Sequence, residues 1–292
     1  MLDQPGPLLI AANHPNSFLD AIILSSLMKH PVHSLARGDA FSGPLFSRLL
    51  KALNMLPVYR VSEGVQNLEH NYTTFDACLH LFAQSQIVLI FSEGRCINEW
   101  HLRPLKKGTA RLAFAAWTAD MPVKVLPLGI NYSSFKKFGK VVHLNFGEII
   151  TPSNITEDIQ TGKAIVQFNA QLADQLKGLV YEIDQEDHQK LQQHFGIKSS
   201  LFKKAILVVP AIAGYILHAP LYYAAHLIIK DRAKDHYDSV MVSILLLFYP
   251  LYLLLITGLT WLLTGNAFAL FLLILVPLTA LCLLHFRDVT KR

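Results

Sequence analysis

The last third of the chain limits what it can become more than any other feature. Three apolar stretches occupy it, at 205–229, 239–263 and 267–284. An α-helix needs about 20 residues to cross a hydrocarbon layer of ~30 Å. The second and third stretches contain no Asp, Glu, Lys or Arg, and only Thr264-Gly265-Asn266 separates them. They predict a tight helical hairpin through a bilayer. The first stretch is broken up by Pro210, Gly214, His218, Pro220 and His226. Three full spans would carry Arg287, Lys291 and Arg292 to the far side, against the positive-inside rule. If 205–229 lies in the interface or re-enters, that tail stays cytoplasmic, with the loop of Lys230, Arg232 and Lys234. The expectation is therefore a globular domain over 1–200 at the cytoplasmic face. A membrane-associated helical region over 201–292 follows it, crossing twice.

The remaining composition agrees with a membrane setting. Charged residues make up 16% of the 292-residue chain, against about 25% in ordinary soluble domains. The formal net charge is +5, which suits an anionic membrane surface. No Lys/Arg stripe interleaved with aromatics points to nucleic acid. Cys78, Cys96 and Cys282 lie far apart without metal-ligand spacing, so neither a metal nor a disulfide framework is expected. No leader is recognised, because the first apolar run, 8–12, is too short to span a bilayer. A domain that opens directly on a core strand suggests a natural start further upstream.

Residues 1–200 alternate between strand-like and helix-like segments. Strands are expected at 8–12, 32–36, 55–59, 87–91, 123–128 and 141–146. Pro57 marks the third as an edge or terminal strand. Helices are expected at 18–28, 45–53, 67–83, 108–119 and 165–183. The alternation predicts an α/β fold, a mixed but largely parallel sheet flanked by helices.

Four polar segments could carry chemistry. Asn13-His14-Pro15-Asn16-Ser17-Phe18-Leu19-Asp20 leaves the first strand and enters a helix. A carboxylate beside one imidazole nitrogen fixes the tautomer, so that the other nitrogen can accept a proton from an alcohol. The structural alternative is a capping box, with Ser17 as N-cap and Asp20 three residues on. Phe91-Ser92-Glu93-Gly94-Arg95 follows the clearest buried strand. Gly94 permits close backbone approach, and exposed N–H groups with Arg95 suit a phosphate. Arg60 follows a third strand, and Lys107 stands among several cations at a helix start. Each of these three segments also reads as an ordinary solvated turn or charge cluster. Strand ends along one edge of a parallel sheet are where ligands bind, so a base and anion-binding groups would share a cleft.

With those residues in view, the chain resembles the glycerol-phosphate and lysophosphatidate acyltransferase family over roughly residues 8–150. Asn13-His14…Asp20 is similar to its His-Asp block, and Leu56-Pro57-Val58-Tyr59-Arg60 to its second block. Phe91-Ser92-Glu93-Gly94-Arg95 resembles the Phe-Pro-Glu-Gly-Thr-Arg block, and Val125-Leu126-Pro127-Leu128-Gly129 the apolar fourth block. Five residues separate His14 from Asp20, one more than the commonest pattern. That variant occurs in the branch containing fungal-type glycerol-3-phosphate acyltransferases. Ser92 replaces Pro, and the Thr before Arg is missing.

The resemblance implies that His14, held by Asp20, deprotonates an acceptor hydroxyl. The acceptor is glycerol 3-phosphate or a lysophospholipid, 1-acylglycerol 3-phosphate, and the donor is acyl-CoA or acyl-carrier protein. It further implies that Arg60, Glu93, Gly94 and Arg95 position the acceptor, and that neither a cofactor nor a covalent acyl-enzyme takes part. A serine hydrolase is disfavoured because no G-x-S-x-G elbow occurs. A non-catalytic lipid-binding membrane protein with the same fold is the remaining alternative.

Overall fold

A computed structural model describes residues 2–59, 69–196, 201–229 and 234–286. The chain divides into two compact units, one of residues 1–131 and 143–182, the other of 132–142 and 183–292.

The first unit is built on six strands. They are β1 (Leu8–Ala12), β2 (Val32–Arg37), β3 (Met55–Val58), β4 (Ile87–Phe91), β5 (Lys124–Tyr132) and β6 (Val142–Phe146). Five helices connect or cover them: α1 (Phe18–Leu27), α2 (Pro44–Ala52), α3 (Glu69–Ala83), α4 (Gly108–Thr118) and α5 (Gly162–Leu179). The sheet order is β3-β2-β4-β1-β5-β6. β1 runs parallel to β4 and β5, and β2 runs parallel to β3 and β4. The chain returns antiparallel beyond β6, where Gly147 N–H donates to the Pro127 carbonyl and Ile150 bridges Val125. The sheet is thus mixed and largely parallel, as the alternating pattern predicts.

All five residues of β1 are buried, because helices cover both faces of a parallel sheet. β3, with Pro57, takes the edge, where a missing N–H breaks no ladder bond. One core cluster joins β1 and β4 to Leu112, Phe114 and Trp117 of α4 and to Phe168 and Leu172 of α5. The Trp117 indole N–H reaches the Val123 carbonyl at 2.8 Å, which satisfies its only donor. β5 continues four residues past its expected end, and α5 starts and stops earlier than its periodicity suggests. A short helix, α6 (His188–Phe195), belongs to the second unit and has no counterpart among the expected elements.

The topology positions two strand ends. From β1 the chain crosses through α1 towards β2, and from β4 it crosses through α4 to β5 on the other side of β1. Connections that leave adjacent strands in opposite directions open a crevice at their carboxyl ends. Ala12 pairs with Phe91, so the residues following β1 and β4 emerge level with each other.

The second unit contains three long apolar helices, α7 (Leu201–Ile229), α8 (Tyr237–Thr264) and α9 (Leu272–Phe286). Among the described residues, Lys204–Ile229, Tyr237–Thr264 and Ala267–Phe286 are long and apolar enough to cross a membrane. α7 stays helical through Pro210 and Pro220. Only 11% of the most apolar window of each helix is buried. Leu246, Leu254, Leu262, Leu263 and Ile274 point outward. So large an exposed apolar surface is compatible with membrane association.

Several polar groups inside the unit find partners. His218 Nε2 lies 2.9 Å from the Tyr249 hydroxyl, and Tyr252 donates to the Leu217 carbonyl. His226 Nδ1 meets the Tyr237 hydroxyl at 2.8 Å, and Lys140 pairs with the buried Asp238 carboxylate. At Gly214 a β-carbon would lie 2.3 Å from the Thr279 carbonyl oxygen, so α7 and α9 approach backbone to backbone.

Candidate active site

The strand β1 hands over to the site through Asn13. This buried amide donates to the Ile130 carbonyl at 3.0 Å and accepts the Ile130 N–H at 2.7 Å. Its side chain therefore imitates one more rung of the β1–β5 ladder. His14 follows, with its Nδ1 2.9 Å from Asp20 Oδ2. The same Asp20 oxygen accepts the Asn16 N–H at 2.8 Å, and the residue is only 1% exposed. An ionised carboxylate can only accept, so Nδ1 carries the proton and Nε2 keeps its lone pair. The imidazole stacks on Phe91, with centroids 3.8 Å apart and planes at 13°, and keeps 14% of its side-chain surface exposed.

The five-residue gap is absorbed at Ser17, which adopts φ 55° and ψ −134°. That backbone region is sparsely populated by residues other than glycine. The Ser17 N–H donates to Cys96 Sγ at 3.0 Å. Its side chain makes no capping bond to α1. The capping-box alternative is thus not the arrangement found, because the Asp20 carboxylate turns back to His14.

The segment after β4 supplies the facing wall. Glu93 is 4% exposed, and each of its oxygens accepts a backbone N–H. Oε2 takes that of His14 at 2.9 Å, and Oε1 that of Arg103 at 2.8 Å. Burial pushes the Glu93 carboxyl above the usual carboxylate range, partly offset by these two N–H groups. Gly94 sits at φ +66°, and a β-carbon there would meet Lys106 Cγ at 3.0 Å. The Lys106 N–H donates to the Ser92 carbonyl, and the Ser92 and Thr109 hydroxyls lie 2.9 Å apart. These contacts tie the end of β4 to the first turn of α4.

Against this geometry, residues 1–131 match the family model described as Acyltransferase. This segment is thus similar to acyltransferase domains. A curated relative, Glycerol-3-phosphate O-acyltransferase 2 of Saccharomyces cerevisiae, is 33% identical over 106 residues. That match covers 36% of this chain but only 14% of the length of the yeast protein. Among solved structures, a match is the 1-acyl-sn-glycerophosphate (LPA) acyltransferase PlsC from Thermotoga maritima. It has a TM-score of 0.39 and 14% identity, and the match covers 59% of this chain and 64% of that one.

Within the matched segment, His14, Asp20, Glu93 and Gly94 lie around the adjoining carboxyl ends of β1 and β4. Arg95 follows them and is exposed. Lys107 is the exposed N-cap residue of α4, whereas its neighbour Lys106 is the lysine that packs over Gly94. Arg60 lies outside the described residues. Asn13, quoted in the sequence as the start of the His-Asp block, acts as a ladder mimic, and two residues outside the expected set, Cys96 and Asn98, support the turn. The sole sequence signal for the last two is that they closely follow Arg95.

Proposed function

We propose that the protein is a membrane-bound O-acyltransferase. It transfers a fatty acyl group from acyl-CoA or acyl-carrier protein to a hydroxyl of glycerol 3-phosphate or 1-acylglycerol 3-phosphate. The observation that carries this reading is the 2.9 Å contact between His14 Nδ1 and Asp20 Oδ2 across the turn. His14 Nε2 takes the hydroxyl proton as the oxygen attacks the thioester carbonyl. Asp20 stabilises the imidazolium that forms. The tetrahedral intermediate collapses with cleavage of the C–S bond. The imidazolium returns its proton to the departing thiolate, which leaves an ester and a free thiol carrier. General-base assistance of this kind contributes about 10²–10⁴-fold.

In this reading Arg60, Arg95 and Lys107 supply positive charge for the acceptor phosphate. Gly94 lets the backbone come close to it. Glu93 acts through the loops it joins, since each of its oxygens already holds a backbone N–H. The helices of the second unit hold the domain at the cytoplasmic face of a membrane, where a lysophospholipid acceptor and the acylated product reside.

The test is a transfer assay with each acceptor in turn, run beside the His14→Ala and Asp20→Ala variants. Wild-type protein should form ester, and both variants should lose turnover while remaining in the membrane fraction. Wild-type turnover in the His14 variant removes the mechanism.

A further inference from the structure

The proposed chemistry depends on a turn that does not hold itself. Pro15 offers no N–H, and Ser17 is in a backbone conformation that serine seldom adopts. Strain of this kind persists only where surrounding contacts over-determine it. The segment after β4 makes four of those contacts. Glu93 accepts the His14 N–H, and Ile97 N–H donates to the His14 carbonyl at 3.4 Å. Asn98 Nδ2 donates to the Pro15 carbonyl at 2.7 Å, and Cys96 Sγ accepts the Ser17 N–H at 3.0 Å. Thus the backbone of His14, Pro15 and Ser17 is held from one side, while Asp20 holds Asn16 from the other.

We propose that Asn98 and Cys96 are positioning residues of the transfer reaction. Together they lock the Pro15-Asn16-Ser17 turn so that His14 meets Asp20 across the longer gap. The inference rests on the acyl-transfer reading above. Neither residue reaches the reacting atoms; both act through the turn. Asn98 is suited to this because its orientation is decided by chemistry: only the amide nitrogen can face the Pro15 carbonyl. Cys96 is buried, and its sulfur serves as an acceptor rather than as a nucleophile. A misplacement of about 1 Å in a catalytic pair can lower turnover ~10²-fold.

The experiment uses the full-length protein in membranes and compares kcat and KM for Asn98→Asp, Cys96→Ser and Cys96→Ala with wild type. Asn98→Asp keeps the size of the side chain but places an acceptor against a carbonyl. It should lower kcat roughly 10–100-fold and leave the acceptor KM unchanged. Cys96→Ser keeps an acceptor and should remain close to wild type, whereas Cys96→Ala should be slower. A simple packing role would reverse that order, because a buried hydroxyl is less welcome than a methyl group.

Hydrogen exchange supplies a second readout. The amides of His14, Asn16 and Ser17 should exchange faster in Asn98→Asp, with those of β5 and α5 unchanged. The inference is overturned by wild-type kcat in Asn98→Asp, by Cys96→Ala equalling Cys96→Ser, or by faster exchange throughout the unit. In each of these outcomes an active wild type leaves the acyl-transfer reading standing. A wild type that transfers nothing to either acceptor removes both.

Discussion

Asp20 shows how much a single oxygen can decide. Its Oδ2 holds both the imidazole of His14 and the N–H of Asn16. Asp20→Asn preserves the shape but allows an amide N–H to face those donors. Turnover should fall by about 10²–10⁴-fold with little change in acceptor KM, as steady-state kinetics will show. Glu93 carries a different prediction. In Glu93→Gln one backbone donor meets an NH₂ group, and the cost is about 1–3 kcal/mol. The effect also depends on pH. Burial raises the Glu93 carboxyl above its ordinary 4.5. Below that value folded and unfolded chains are both protonated, and the folded state pays no penalty for a buried charge. As pH rises towards the folded value the unfolded chain ionises first, and the folded state loses stability. The margin by which wild type out-melts Glu93→Gln should therefore shrink as the pH is raised from 4.5, in thermal melts of the two proteins. Cys78 illustrates an inert group, since burial pushes its thiol up to about 12. Native protein treated with iodoacetamide at pH 8 should leave Cys78 unlabelled until it unfolds.

At the scale of elements, ladder extension and close approach govern the arrangement. Asn13→Leu removes both bonds to Ile130 and strands that residue's buried N–H and carbonyl in β5. A loss of about 2 kcal/mol is expected, measurable as a lower thermal midpoint. In the helical unit, Gly214→Val forces a side chain into the Thr279 carbonyl and separates α7 from α9. Cysteine cross-linking between those helices should weaken in that variant. Most elements were legible in the chain itself. A run such as Ile87–Phe91 is too short and too apolar for anything but a buried strand of a covered sheet. α6 was not legible, because eight residues with two buried side chains leave too little periodicity to read.

For the whole molecule, exposed leucines on α8 and α9 predict that the protein pellets with membranes and resists alkaline carbonate extraction. A reporter fused after Arg292 should be found on the cytoplasmic side if the basic loop and tail obey the positive-inside rule. A far-side reporter would instead require an odd number of crossings and full insertion of α7. The continuity of α7 through two prolines shows why its sequence was ambiguous. Proline disfavours helices in water, yet in a long apolar helix neighbouring groups can satisfy the freed carbonyls.

By itself the sequence determined the alternation of strands and helices, the apolar C-terminal third and the residue types available for acyl transfer. Those are local properties, written in periodicity, span length and side-chain chemistry. Only the tertiary structure decided that β4 lies beside β1 in level register, which brings Glu93, Cys96 and Asn98 beneath the turn of His14. Strand order depends on how helices pack over the whole sheet, and no window of neighbouring residues contains that. The same holds for Asp20, whose sequence position fitted a helix cap equally well until the strained Ser17 turned its carboxylate towards the imidazole.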